Sequence, residues 1–202
     1  MADENRCDSA VARYFSPEAV ERAIKAAGGF PPLSQIRREE LKESFGPWLP
    51  DDCSAKGIDQ ACLSTLLGDQ LEEAARTLAT RQYWTDKLLD LAAATRKAKV
   101  NSQREVPLKQ PPTLDLRIGT FLEALIGTWK LLFGGAFGKT GKVKGKPIRF
   151  LEACCKELAS SLRSGNFCLG DKQSAEILAE DLERLTREVL KKRWERSPWH
   201  FP

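Results

Sequence analysis

The sequence is poor in the residues that carry most enzyme chemistry. It has one histidine, His200, among 202 residues. Ser-His and Cys-His nucleophile pairs, and most zinc sites, need at least one well-placed imidazole. The cysteines Cys7, Cys53, Cys62, Cys154, Cys155 and Cys168 contain no Cys-x-x-Cys pair. That removes the usual zinc-ribbon and thioredoxin-like spacings. Strand signals are scarce as well: β-branched runs are few, no stretch alternates, and no Asn-Gly turn occurs. No 20- to 50-residue repeat is visible. The opening "MADENRCDSA" is acidic and polar, unlike the basic-then-apolar start of a secretory signal. From this we expect a cytoplasmic protein whose cysteines are reduced and mostly buried.

What the chain has is helix signal. Ser16-Pro17 is an N-cap followed by proline in the first turn, and "PEAVERAIKAA" stops at Gly28-Gly29. A short helix over 4–15 is expected before it. Ser34 caps "QIRREELKESF", which Gly46-Pro47 ends. Trp48 and Leu49 then sit in a loop, tucked against the core. Residues 59–99 stay helical, as one helix or two joined near Thr80, with Gly68 a weak point. Leu67, Leu71, Ala74 and Leu78 form its first seam, and Trp84, Leu88, Leu91 and Thr95 a rotated one.

Pro107, Pro111 and Pro112 forbid helix in 100–113. This segment is either a linker between helical subdomains at 1–99 and 114–202 or a crossover inside one bundle. Beyond it three helices are expected. The first, carrying Ile118, Leu122, Leu125, Trp129 and Leu132, is apolar nearly all round and reads as the buried centre. The second starts at Pro147, with a seam of Ile148, Leu151, Cys155, Leu158 and Leu162, and ends at Gly165. The third runs from 171 or 174 to 194, with Leu178, Leu182, Leu185 and Val189 facing inward. The fold class is all-α, a bundle of about six to seven helices. Glu123 and Lys130 argue against a membrane span over 118–138.

Charge is unevenly spread. Residues 1–100 hold 14 basic and 16 acidic side chains, and residues 101–202 hold 18 and 12. The stretch "LLFGGAFGKTGKVKGKPIRF" concentrates the excess. Gly138-Lys139-Thr140 imitates the end of a phosphate-binding loop, but Phe133 stands where the first glycine is required. The preceding segment is helical and no strand ending in Asp follows, so we exclude a nucleoside triphosphatase. From Thr128 to Phe150 there is no acid, while six basic residues interleave with five glycines. A flexible cationic turn of this kind suits a polyanion, each phosphate contact releasing a counterion. Phe137 could add a surface on which a base stacks.

Lys139, Lys142, Lys144, Lys146 and Arg149 are therefore the candidate polyanion-binding residues, with nucleic acid the expected partner. The plain alternative is a solvated loop between two helices. The tail "KKRWERSPWHFP" alternates basic and aromatic residues. Trp194, Arg196, Trp199 and Phe201 are candidate anchors for a protein partner, or a strap onto the bundle. Glu39–Glu43 and Glu176–Glu180 have helical i, i+4 spacing but lie on polar faces beside Lys or Arg, as exposed ion pairs do. Cys154, near Arg149 and Lys156, could be somewhat activated, but no base or orienting residue accompanies it. No catalytic residue, metal or cofactor is assigned. The expected function is a non-enzymatic binding protein that uses 134–149. The alternative is a helical adaptor that uses an apolar face or the tail.

Overall fold

The computed structural model describes residues 13–31, 33–45, 58–99, 114–133, 145–164 and 172–196, the side chains of 36, 83–99 and 114–116 excepted. The described residues form helices and no strand. The helices are α1 (Pro17–Ala26), α2 (Gln35–Phe45), α3 (Gln60–Lys99), α4 (Leu114–Phe133), α5 (Lys146–Arg163), α6 (Lys172–Glu183) and α7 (Arg187–Arg196). The expected placements of 4–12, Trp48, Leu49 and 100–113 fall outside the described residues, as do those of the Trp84–Thr95 side chains.

Local chemistry sets the helix ends. The Ser16 hydroxyl accepts from the Ala19 amide at 3.3 Å and starts α1. Gly28 and Gly29, at φ +86° and +81°, turn the chain left-handed and close it. Their amides donate to the carbonyls of Lys25 and Ile24. The Ser34 hydroxyl accepts from Arg37 N before α2, and Asp59 Oδ1 accepts from Cys62 N before α3.

Helix α3 is one uninterrupted 40-residue element. Gly68 does not break it; it faces α1, where a Cβ would make only an ordinary 3.5 Å contact with Val20 Cγ2. The first seam is buried from Leu67 to Leu78, and α4 is the buried centre, with Leu125, Ile126 and Leu132 fully enclosed. One hydrophobic core draws on helices from both sides of 100–113: α1 packs on α5, and α3 on α4. Exposed ion pairs decorate it, such as Arg22–Glu157 at 2.6 Å between α1 and α5. Such pairs contribute little beside the buried aliphatics, each worth about 1.5–3 kcal/mol.

Three expectations fail. Residues 13–15 are not helical, because the Phe15 amide donates to the buried Glu72 carboxylate at 3.0 Å instead of to a helical carbonyl. The last helix is two, α6 and α7. The Thr186 hydroxyl accepts from Val189 N at 3.4 Å and starts a new helix on a new phase. Val189 is consequently 41% exposed, while Leu190 and Trp194 take the inward face. Cys62 is disulfide-bonded, with its partner outside the described residues, whereas Cys154 and Cys155 are free. The expectation of six reduced thiols therefore does not hold.

Candidate anion-binding site at the loop stems

Lys139, Lys142 and Lys144 lie outside the described residues, as do Trp199 and Phe201. The structure describes the two stems between which residues 134–144 run. Rings hold those stems together. Trp129 in the last turns of α4 meets Phe133 at 4.7 Å and Phe150, in the first turns of α5, also at 4.7 Å. Phe30, just past the α1 turn, meets Phe133 at 5.7 Å. The end of α4, the start of α5 and the end of α1 therefore converge.

The start of α5 is bare. Its N-cap is Gly145, which offers no side-chain acceptor, and its first turn has no acid. Unsatisfied amides there carry the positive end of the helix dipole. Lys146 and Arg149 flank it, and among the described residues neither forms an ion pair with a carboxylate. Arg149 is partly engaged. Its Nη2 donates to the Ala27 carbonyl at 3.3 Å and lies 3.3 Å from where a Gly28 Cβ would be. Its Nε is buried with no hydrogen-bond partner. Arg149 thus closes the C-terminus of α1 as well as adding charge. Arg37 does the same for α4, donating to the Leu131 and Lys130 carbonyls.

Lys130, last before the glycines, is not part of this charge. It is buried, with Nζ 5.1 Å over the Trp194 ring. Burial pulls its pKa below the ordinary lysine value, opposed by Glu123. Trp194 is buried and holds the core, so as a docking anchor it is not available; Arg196 is exposed at the end of α7. The Arg193 guanidinium packs 3.1 Å from where a Cβ would sit on Gly119, near the other end of α4. Gly119 and Phe133 are about 21 Å apart along the helix. The described end of the tail therefore lies alongside α4, with Arg193 near Gly119 and Trp194 beside Lys130.

The remaining sequence candidates fall into structural roles. Cys154 does not face solvent; it and the neighbouring Cys155 are both buried. Burial pushes the Cys154 pKa well above its usual value and that of Cys155 up to about 12, the reverse of activation. Glu176 pairs with Arg163 and Glu180 with Arg184, while Glu39 and Glu43 are exposed. Among the described residues no three His, Cys, Asp or Glu side chains gather as a metal site. None of the described helices is long and apolar enough to cross a membrane.

Sequence reasoning missed three buried polar groups: Glu72, Gln82 and Arg117. For Glu72 the signal was available, since it falls one position after Leu71 on the inner seam. Arg117 is one residue before the apolar run of α4, where its phase is ambiguous. Compared with known proteins, the chain matches no family model, no curated protein and no solved structure.

Proposed function

We propose that the chain binds a polyanion, nucleic acid in the first place, through residues 134–149. The observation that supports this reading is the uncapped N-terminus of α5, flanked by Lys146 and Arg149, neither of which is paired with a carboxylate among the described residues. It terminates an acid-free stretch in which Lys139, Lys142 and Lys144 add three more cations. A phosphate meeting that terminus gains amide donors and dipole together. Neighbouring phosphates of the same strand reach the lysines.

Salt-titrated binding to single-stranded RNA and to duplex DNA tests this. Affinity should fall log-linearly with salt. Lys142→Gln with Lys144→Gln should reduce the slope by about one per lysine removed. Absence of binding at low salt, or a slope indifferent to the double substitution, refutes the proposal. The adaptor reading retains Arg196 and two exposed large apolar side chains among the described residues, Ile177 and Val189, and no observation favours it.

A further inference from the structure

Phosphate contacts hold a nucleic acid in place, but only contacts to bases tell one sequence from another. A place for a base lies beside the loop stems. Helix α4 runs antiparallel to α3, as the Arg117–Gln82 bond and the shared lining of the groove between them require. That groove deepens into a cleft of about 290 Å³, lined by α3 from Gln70 to Arg81 and by α4 from Arg117 to Leu131. Leu131 is two residues, about 3 Å along the axis, before α4 ends at Phe133. The cleft therefore extends to the point where the basic glycine-rich stretch begins.

The two ends of the cleft differ. At the far end Arg81 and Arg117 are engaged within the chain. Arg117 donates to Gln82 at 2.6 Å and acts on the Asp181 carboxylate. Neither arginine is left for a ligand. The buried Leu78 and Phe121 form an apolar floor, left open because Ala74, Ala124 and Gly127 are too short to fill it. At the loop end stands an acid. Counted from the Arg117–Gln82 bond, Glu73 is about 14 Å along α3 and Gly127 about 15 Å along α4, so the two stand level. Glu73 is exposed and forms no ion pair among the described residues. Its carboxylate repels phosphate, so the cleft is no second anion site. It accepts hydrogen bonds from an amine. The volume, close to the lower limit of roughly 300 Å³ for ligand sites, suits a single flat ring.

We infer that the cleft takes one base of a single strand held by 134–149, and that Glu73 makes it prefer cytosine. This rests on the polyanion reading and adds base choice to it. Bases of a single strand can be splayed out and read on their edges. Cytosine presents its N4 amine as a donor, and a carboxylate is the side chain that accepts from it. Uracil presents a carbonyl oxygen at the same position, which Glu73 repels. Leu78 and Phe121 take the ring out of water.

The test is salt-titrated binding of the full chain to oligo(C), to oligo(U) and to an abasic strand of the same length and charge. Oligo(C) should bind more tightly than the abasic strand, and about fivefold or more tightly than oligo(U), the low end of discrimination by a base-edge contact. All three should share one salt slope, because the phosphate contacts are the same. Glu73→Gln, at the exposed mouth, should bring oligo(C) and oligo(U) together without changing that slope. Ala124→Phe should fill the cleft and erase the same preference, with circular dichroism reporting the fold. Equal and salt-dependent affinity for all three strands overturns the inference and leaves the polyanion reading standing. No binding to any strand at low salt overturns both. A preference for oligo(C) that survives Glu73→Gln also overturns the inference, even where Ala124→Phe fails to fold.

Discussion

The two ends of α4 are built from different materials. At its C-terminal end Trp129 and Phe133 meet Phe30 and Phe150, and the Arg37 side chain takes the last carbonyls. Toward its N-terminal end a buried Arg117 bonds to a buried Gln82, and Gly119 lies under the Arg193 guanidinium. Rings close one end; at the other a buried charge and a small residue hold the packing. The lesson concerns where each function can sit. An aromatic clamp fixes two chain ends firmly, so the eleven residues between them can be glycine-rich without cost to the core. A buried arginine contributes little net stability but supplies a fixed charge.

The largest effect should come from breaking the aromatic end. Trp129 is almost fully buried and touches two other rings. Trp129→Ala should cost about 3–5 kcal/mol in chemical denaturation, the range for large-to-alanine core changes. A loss under 1 kcal/mol would mean the clamp is not what joins the stems. The polar end should answer differently. Arg117→Met alone removes the 2.6 Å bond to Gln82 and should cost about 1–3 kcal/mol. Adding Gln82→Leu should recover part of that loss, since it removes the partner left unpaired, while the Arg117 charge that acts on Asp181 stays lost. Strict additivity of the two substitutions would show that the pair is not coupled.

How much of this was legible in the sequence differs between the same two ends. The burial of α4 and the seams of α3 and α5 followed from spacing, because a helix packed on one face repeats its apolar positions whatever its neighbours are. The convergence of Phe30, Trp129, Phe133 and Phe150 was not legible. These rings are over a hundred residues apart at the extremes, and only the packing of α1 on α5 brings them together. The break at Thr186 could have been read: Thr186 followed by Glu188 is a helix start, yet an unbroken apolar repeat from Leu178 to Val189 overrode it. At the candidate site the charge excess was visible, but the commitment of Arg149 to the Ala27 carbonyl was not. Spacing cannot say which arginine of a basic stretch will find a helix end belonging to another part of the chain.

That commitment gives the smallest and most discriminating prediction. Gly28 and Gly29 both adopt positive φ, so alanine at either strains the backbone, by about 1–2 kcal/mol. Only at Gly28 would the new methyl meet a neighbour, Arg149 Nη2 at 3.3 Å; at Gly29 nothing lies within 4 Å. Gly28→Ala should therefore lower stability more than Gly29→Ala in thermal or denaturant unfolding. In an Arg149→Met background the difference should vanish, because the guanidinium that the methyl crowds is gone. Arg149→Met by itself should reduce stability, since the Ala27 carbonyl loses its donor. It should change the salt slope of polyanion binding less than removing Lys142 or Lys144 does. A slope change at Arg149 as large as at the lysines would place it on the ligand and not on α1. Equal costs at the two glycines would show that Arg149 yields freely, and that its hold on the α1 terminus adds nothing to the fold.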